Sequence, residues 1–259
     1  MMSMPKQPLM ATHVNNLTLP ETAEAIGQLI DARQKAYVVE VNVDVMVKLE
    51  KDAELRRITN DADLVLVDGQ PLVWVSKLYR RPVKEKVSGS DLSLALCRMA
   101  TERGYTVFIL GGKEGIADQA KAKMETQFPG LRVVGTCAPP LGFEKDAAEL
   151  AKVREAISAV SPDLVLCCFG CPKQEKWIDA NYRDIDARVF LCAGATVDFL
   201  AGNVKRAPAW ISRIGLEWFY RFLKEPRRLF RRYFIDDMQL FRLILKYRHQ
   251  RVKETEVSA

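Results

Sequence analysis

Short apolar runs alternate with amphipathic stretches along most of the chain. The runs are rich in Val, Leu and Ile, and they lack polar residues at every second position, as in Leu64-Val-Leu-Val67. We predict strands at 36–43, 63–67, 105–110, 131–135, 162–169 and 188–192. Unalternating apolar strands are typical of parallel sheets that are buried on both faces. The pattern therefore predicts an α/β fold, with a parallel sheet covered by helices.

Helices are predicted between these strands, where apolar residues recur at helical spacing. The first begins at the capping box Thr18-Leu-Pro-Glu21 and runs to Gln34. Others are expected at 44–58, 71–79, 90–103, 115–128, 146–160 and after Glu175. Beyond Gly202 the pattern changes to two aromatic, arginine-rich helices at 208–223 and 229–247, split by Pro226. We predict one domain over 1–202 and a basic helical appendage over 203–259.

The charge of the chain is unevenly distributed. The net charge is +6, from 39 basic and 33 acidic residues, and the 48% hydrophobic content excludes a disordered chain. Residues 203–253 hold 14 Lys and Arg against 4 Asp and Glu, which leaves 25 basic and 29 acidic residues elsewhere. Such a basic segment suits phosphates, nucleic acid or an anionic membrane surface.

The location expected from the sequence is the cytoplasm. The first residues lack the apolar stretch of a secretory signal, and no apolar run reaches the ~18 residues that a spanning helix needs. The six cysteines are expected to be buried and structural. Cys168-x-x-Cys171 leaves a redox or zinc role as the alternative, but His13 and His249 are the only histidines and lie near the two ends.

Candidate chemistry lies where the predicted strands end, because ligands of open parallel sheets bind beyond the carboxyl ends of the strands. The polar or glycine-rich strand ends are Glu40-x-Asn42, Asp68-Gly69, Gly111-Gly112, Gly170-Cys-Pro-Lys-Gln-Glu175 and Gly194-Ala-Thr-Val-Asp198. A carboxylate such as Asp68 can accept a proton from a hydroxyl group. A turn-forming Asp-Gly pair is the equally open interpretation.

The two glycine-rich turns each have two interpretations. Gly111-Gly112 could bring backbone N–H groups to a phosphate, or could form a plain βα turn. Lys173 and Gln174 could face a diphosphate or a sugar, or could lie on the solvated face of a capped helix. The acidic pairs Asp61-x-Asp63 and Asp184-x-Asp186 follow no strand, so we expect solvated side chains there and no metal site.

The basic segment combines arginines with aromatic residues. Arg221, Arg228 and Arg231 can share a helical face or adjoining turns, and the planar guanidinium group suits diphosphate oxygens. The neighbouring Trp and Phe residues also fit an amphipathic helix at a membrane surface. A helical hairpin packed on the body by its aromatic residues is the alternative.

Taken together, these residues resemble the WecG/TagA/CpsF glycosyltransferases, glycosyltransferase family 26. The resemblance extends from Thr18 to Tyr233. Its motifs are Asp68-Gly69, Ser88-Gly-Ser-Asp-Leu92, Phe169-Gly-Cys-Pro-Lys-Gln-Glu-Lys-Trp177, Gly194-Ala-Thr-Val-Asp-Phe199, Ala201-Gly202, Arg206-Ala-Pro208, Gly215-Leu-Glu-Trp-Phe-Tyr-Arg221 and Glu225-Pro226.

The resemblance implies a Rossmann-like catalytic domain and an appendage that docks on the inner face of the membrane and closes over UDP. The implied activity is inverting transfer of N-acetylmannosamine or its uronic acid from a UDP-sugar to a polyprenyl-diphosphate-linked sugar in cell-surface polysaccharide synthesis. No cofactor and no metal are expected. The implied partners are the two substrates and an anionic membrane surface, without nucleic acid, and a homo-oligomer is left open.

The resemblance also assigns site residues. It implies that Asp68 is the general base and that Asn42, Lys86 and Gln174 complete the catalytic group. The expected substrate-binding residues are Glu40, Gly111, Gly112, Gly170, Lys173, Glu175, Asp198, Arg206, Arg221, Arg228 and Arg231, the last three for the UDP diphosphate. The chain departs from the family pattern at Glu40, where Thr is usual, at Gln70-Pro71, and at Lys86, where Arg is usual.

The departures leave the donor sugar open. A UDP-glucose-dependent glucosyltransferase of the same family is one alternative. A basic membrane- or nucleic-acid-binding module without catalysis is an alternative of another class. A nicotinamide dehydrogenase is disfavoured, because the first predicted βα turn, Val43-Asp-Val-Met46, has no glycine.

Overall fold

The structure, a computed structural model, describes residues 4–204, 217–224, 226–231 and 236–250. Only the backbone is described at residues 217, 218, 221, 224, 228, 229 and 231. Arg206 and most of the helix predicted at 208–223 therefore lie outside the described residues.

The sheet has six parallel strands, in the order β4-β3-β8-β7-β5-β6. The strands are β3 Ala36–Val41, β4 Leu64–Val67, β5 Thr106–Gly111, β6 Arg132–Cys137, β7 Leu164–Cys168 and β8 Val189–Cys192. An antiparallel hairpin, β1 Lys6–Leu9 and β2 Thr12–Asn15, precedes them. Asn15 Oδ1 accepts a hydrogen bond from Val65 N at 2.8 Å, so the hairpin covers the outer edge of β4.

Helices follow the strands in a βα alternation. They are α1 Leu19–Asp31, α2 Val43–Lys51, α3 Ala53–Asp61, α4 Gln70–Leu78, α5 Gly89–Arg103, α6 Ile116–Gln127, α7 Ala147–Ser158, α8 Lys173–Asn181 and α9 Thr196–Leu200. A 3-10 turn, Phe143–Lys145, precedes α7. The described part of the C-terminal segment contains α10 Glu217–Lys224, α11 Pro226–Arg231, α12 Gln239–Lys246 and the 3-10 turn Arg248–Gln250.

Each face of the sheet is buried under its own layer of helices. Val39 and Val41 point to the face covered by α2, α3, α4, α7 and α8. Val38 and Leu66 point to the face covered by α1, α5, α6 and α9. Because successive strand residues alternate between faces, both faces need apolar side chains, and this explains the unalternating runs in the sequence. The predicted Rossmann-like α/β fold is confirmed.

Three local predictions were incomplete or wrong. The hairpin at 6–15 was not predicted, because its strands are four residues long and partly polar. The helix predicted at 44–58 is interrupted at Asp52, whose side chain caps α3 by accepting a hydrogen bond from Leu55 N at 2.9 Å. The helix predicted at 229–247 is not continuous, because Asp237 and Met238 form a turn before α12.

The C-terminal helix α12 packs on the body of the protein. Leu243 is buried in the same core as α2 and α4, and Tyr79 Oη donates to Ile244 O at 3.1 Å. Glu50, on the last turn of α2, contacts both Lys246 and Tyr247. Gln250 exchanges two hydrogen bonds with the backbone of Met10. The division into two domains at residue 202 stays a prediction, but residues 236–250 share the core of the first.

Within the ranges described, no helix has the length and apolar character needed to span a membrane.

Shortening Leu243 tests the docking of α12. We expect Leu243→Ala to lower the free energy of unfolding by about 2–4 kcal/mol, because it removes buried apolar volume. The matched control is Leu245→Ala on the same helix, where the side chain is 67% exposed and the loss should stay within about 0.5 kcal/mol. Urea unfolding monitored by tryptophan fluorescence measures both. Equal losses in the two variants would contradict the packing.

Candidate active site

The ends of β3 and β4 bring Asn42 and Asp68 together. Asp68 N donates to Val41 O at 2.8 Å, which extends the pairing of the two strands by one residue. Asn42 Oδ1 accepts a hydrogen bond from Val45 N at 3.1 Å and so caps α2. The turn at Gly69 lies against Asn42, since a Cβ at Gly69 would be 3.6 Å from the Asn42 Cβ. Asp68, which is half-buried, and Asn42 therefore follow neighbouring strands at the carboxyl edge.

Lys86 lies on a segment that runs alongside the end of β4. Val87 N donates to Val67 O at 2.9 Å, so Lys86 and Asp68 each adjoin one partner of this hydrogen bond. Ser88 then caps α5, and its Oγ donates to Asp91 Oδ2 at 2.6 Å. The predicted group Asp68, Asn42 and Lys86 thus lies at one edge of the sheet.

Glu40 is a buried carboxyl next to this group. It points to the face of β3 that α5 covers, and its side chain is only 9% exposed. The Gly89 amide hydrogen-bonds the carboxylate, and a Cβ at Gly89 would lie 2.5 Å from Glu40 Oε2. Only glycine fits at this first position of α5 without displacing the carboxyl group. This contact gives the glycine of the Ser88-Gly-Ser-Asp motif a structural role.

Burial raises the pKa of Glu40 well above its ordinary value of 4.5. The negative charge of Asp68 raises it further, followed by the smaller effects of Glu175 and Asp91, while the Gly89 hydrogen bond opposes them. Two carboxyl groups so close together favour a state in which one of them keeps its proton. Burial and the charge of Asp68 thus both favour the protonated form of Glu40, the more buried of the two.

The glycine turns lie at the crevice between β5 and β7, where the connections from the two strands run toward opposite sides of the sheet. β5 and β7 are neighbours, and the helices that follow them, α6 and α8, pack on opposite faces of the sheet. Gly111 has φ 111°, and a Cβ there would lie 2.8 Å from Cys168 O. Glycine at 111 is thus required for the strands to meet. This supports the interpretation as a tight turn and leaves phosphate binding at Gly111 and Gly112 as a prediction.

Gln174 joins the turns after β7 and β8. Its Oε1 accepts hydrogen bonds from Gly170 N and Gly194 N, both at 3.1 Å, and its Nε2 donates to Glu175 Oε1 at 3.0 Å. Gln174 is 4% exposed and Glu175 is fully buried. These contacts give both residues a positioning role beneath the crevice, while contact with substrate stays a prediction for them.

The other predicted residues of this edge are more exposed. Lys173 lies on the first turn of α8 and pairs with Glu144 at 3.1 Å. Asp198 lies half-buried on the first turn of α9, after Gly194. Phe143, before α7, packs against Phe169 with ring centroids 5.0 Å apart, and this contact fixes the loop after β6 beside the crevice.

Four predicted arginines cannot be placed in this site. Arg206 lies outside the described residues. Arg221 falls in α10, and Arg228 and Arg231 fall in α11, where the description covers the backbone alone. Pro226 opens α11 as expected for proline at the start of a helix. The role of these arginines at the UDP diphosphate stays a prediction.

Across the ranges that the structure covers, no three His, Cys, Asp or Glu side chains are grouped as metal ligands would be. Asp63 lies at the opposite edge of the sheet, where its Oδ2 accepts a hydrogen bond from Tyr37 N at 3.0 Å. None of the six cysteines is in a disulfide, and four of them are buried. Burial raises the pKa of the Cys97 and Cys168 thiols to about 12, which fits the structural role expected of them.

The fold is of the doubly wound α/β class, and its carboxyl edge brings together a carboxylate, an amide, a lysine and two glycine turns. The chain belongs to the family described as "Glycosyl transferase WecG/TagA/CpsF family", whose model matches residues 7–254. It is therefore a glycosyltransferase, as the resemblance implied. Family membership therefore excludes the two alternatives, a dehydrogenase and a binding module without catalysis.

Two curated relatives carry the same name, N-acetylglucosaminyldiphosphoundecaprenol N-acetyl-beta-D-mannosaminyltransferase. The protein from Bacillus spizizenii is 31% identical over 199 residues, which cover 77% of this chain and 75% of the relative. The protein from Bacillus subtilis is 30% identical over 200 residues, with the same coverage of both chains.

The buried carboxyl of Glu40 predicts a pH-dependent effect of Glu40→Gln. The folded state holds this proton more tightly than the unfolded state, so its contribution to stability is complete below pH 4.5 and is lost as the pH rises through the folded pKa. The glutamine variant has no such loss. We expect its stability relative to the native chain to increase between pH 5 and pH 8, by at most about 1.4 kcal/mol per pH unit.

Urea unfolding across this pH range measures the difference. Glu102→Gln, at an exposed position on α5, is the matched control and should give the same difference at every pH. A stability difference for Glu40→Gln that does not change with pH would show that the Glu40 carboxyl ionises in the folded protein as it does in the unfolded chain.

Proposed function

We propose that this glycosyltransferase moves a sugar from a UDP-sugar to a polyprenyl-diphosphate-linked sugar in cell-surface polysaccharide synthesis. The most favoured donor sugar is N-acetylmannosamine or its uronic acid. The names of the two Bacillus relatives support the acceptor class and the N-acetylmannosamine donor. Transfer with inversion, without a metal ion or another cofactor, belongs to the same proposal.

The observation that carries the proposal is the position of Asp68. Its carboxyl group follows β4 at the carboxyl edge, next to Asn42 and to the segment that bears Lys86. A carboxylate held by the strand pairing can accept a proton without a change of backbone. The half-buried position leaves part of the Asp68 residue exposed at the surface.

In the proposed reaction, the acceptor hydroxyl attacks the anomeric carbon of the donor from the side opposite UDP. Asp68 takes the hydroxyl proton while the new C–O bond forms. The bond from the anomeric carbon to the diphosphate oxygen breaks, and UDP leaves with the electron pair. A single displacement of this kind inverts the anomeric configuration. Asn42 can orient a substrate hydroxyl through its Nδ2, for which no acceptor occurs among the described residues.

The departing diphosphate gains negative charge, which the protein must stabilise. The N-termini of α6 and α8 both open at the crevice between β5 and β7, where Gly112 and Gly170 are partly exposed. Arg206, Arg221, Arg228 and Arg231 are proposed to supply the cationic groups. Lys173 is proposed as a further cation, and it would exchange its contact with Glu144 for the diphosphate.

A UDP-glucose-dependent transfer is the second candidate, because the departures from the family pattern lie near the proposed sugar site and leave the donor sugar open. Glu40, Lys86 and Gln70-Pro71 all lie around Asp68. A substitution at each of these places changes the hydrogen-bonding groups that a donor sugar meets, while Asp68 and Asn42 stay the same.

We also propose that the protein docks on the inner face of the cell membrane. Phe241 and Leu245 are 62% and 67% exposed on one face of α12, and Trp74 and Leu78 are 50% and 48% exposed on α4. The hydrogen bond from Tyr79 to Ile244 joins these two helices. The apolar face of α12 belongs to the basic segment 203–253, whose net charge is +10. Such a combination suits an anionic lipid interface, where a lipid-linked acceptor is found.

A donor panel tests the proposed reaction. UDP-N-acetylmannosamine, its uronic acid and UDP-glucose are each offered with a lipid-diphosphate-linked N-acetylglucosamine or glucose, in the presence of EDTA. We expect transfer from UDP-N-acetylmannosamine, with a β linkage established by NMR. Product from UDP-glucose alone would favour the second candidate. No product from any donor would contradict the proposed reaction, and product only after addition of a divalent metal would contradict its metal independence.

Asp68→Asn is the variant to compare in the same assay. It keeps the shape of the side chain but removes the proton acceptor, so we expect kcat to fall by about 100-fold or more. Asp184→Asn, on the opposite edge of the sheet, is the matched control. UDP binding by both variants should match the native chain.

The exposed faces of α12 and α4 predict binding to vesicles of anionic lipid. We expect Phe241→Ser with Leu245→Ser to weaken binding to phosphatidylglycerol vesicles by about 10-fold, because it removes apolar side chains that enter the interface. Val160→Ser, at an exposed position near the amino edge, is the control. Co-sedimentation measures the binding, and undiminished binding by the double variant would place the docking surface elsewhere.

A further inference from the structure

Glu40 has a carboxyl oxygen without a partner. Its Oε1 is inaccessible to water and has no hydrogen-bond partner among the described residues, although the side chain is nine-tenths buried. A buried polar atom left without a partner costs about 1–3 kcal/mol, so such atoms call for an explanation. The other oxygen lies over the N-terminus of α5, where the Gly89 amide meets the carboxyl group.

The surroundings of Glu40 favour its neutral form. The largest charge effects on it come from acidic groups: Asp68 at the end of β4, Glu175 on α8 and Asp91 on α5. A neutral carboxylic acid offers one O–H donor and further acceptor capacity, which are the groups that a sugar hydroxyl needs. No structural hydrogen bond in the described chain uses the donor.

We propose that Glu40 is a specificity-determining residue, whose unpaired carboxyl oxygen hydrogen-bonds a hydroxyl group of the sugar bound beside Asp68. This inference rests on the proposed transfer reaction and adds a contact to it. Glu40 adjoins Asp68, which takes the proton from the attacking hydroxyl, so a sugar that reaches Asp68 lies next to the Glu40 carboxyl. Oε1 is closed to water in this structure, so the contact requires the Glu40 carboxyl group to turn toward the bound sugar. The residue is then a binding group, and Asp68 remains the base.

The test compares substrates that possess or lack one hydroxyl group. Monodeoxy analogues of the donor sugar and of the acceptor sugar, other than at the attacking hydroxyl, are assayed with the native chain, Glu40→Met and Glu40→Gln. We expect the native chain to reject one analogue by about 10- to 100-fold in kcat/KM, because that analogue leaves Oε1 unpaired. The sugar to which that analogue belongs identifies the substrate that Glu40 binds.

Glu40→Met keeps the length of the side chain and removes its hydrogen-bonding groups, so we expect its preference for the parent substrate over that analogue to fall close to one. Glu40→Gln keeps one donor and one acceptor and should restore most of the preference. Glu102→Met, at an exposed position, is the control and should keep the native preference. If Glu40→Met does not fold, Glu40→Thr removes the carboxyl group instead. It should also lower the preference in kcat/KM for the parent substrate over the analogue.

Two results would overturn the inference. An equal preference in the native chain and in Glu40→Met would mean that Glu40 does not bind the sugar and that an ordered water satisfies Oε1. A Glu40→Gln variant as impaired as Glu40→Met, with a shifted pH profile of kcat, would mean that Glu40 transfers protons instead. Absence of transfer by the native chain itself would contradict the proposed reaction, and the inference would fail with it.

Discussion

A parallel sheet buried on both faces leaves few places for polar chemistry, and this constraint shapes the rest of the structure. Every strand residue between the two helical layers must be apolar or must have its polar groups satisfied. Polar side chains therefore collect where the strands end, and in a parallel sheet the carboxyl ends share one edge. Asp68, Asn42 and Gln174 all occur at this edge. Glu40 is the exception, since it lies within β3 and under the N-terminus of α5.

The carboxyl edge is held in place by side chains as well as by strand pairing. The Gln174 side chain makes hydrogen bonds with Gly170, Gly194 and Glu175. Among these contacts, only one N–H of its amide group is left unused. Gln174 thereby fixes the turns after β7 and β8 to each other. On the other half of the edge, the backbone of Val87 holds the Lys86 segment to β4. A motif residue can thus support a site by setting the distance between two loops.

Much of this fold could be predicted from the sequence, because the strands carry unbroken apolar runs and the helices have clear caps. The hairpin at 6–15 could not, because β1 and β2 are short and are stabilised by packing along the edge of β4 rather than by their own pattern. The break at Asp52 shows the same limit. Asp52 is compatible with a helix interior and with an N-cap, and its hydrogen bond to Leu55 N decides between them.

The grouping of the candidate site residues was predictable in part, and their roles stay predictions. Asp68 and Asn42 were expected near one another because both follow strands, the resemblance added Lys86 to them, and the structure brings their backbone segments together. The partnership of Glu40 with Gly89 was not predictable, because the two belong to separate motifs that are distant in sequence. A glycine whose missing Cβ makes room for a carboxyl group is visible only when β3 and α5 are packed together.

Helix α2 connects the candidate site to the C-terminal segment. Its first residue follows Asn42, the cap that lies beside Asp68, and its last turn carries Glu50, which holds Lys246 and Tyr247 of the C-terminal segment. A helix of nine residues is a rigid element, so the docked position of α12 is fixed relative to Asn42. The exposed faces of α12 and α4 are therefore held at a constant distance from the carboxyl edge. For the membrane docking proposed above, such a fixed relation would set the depth at which a lipid-linked sugar meets Asp68.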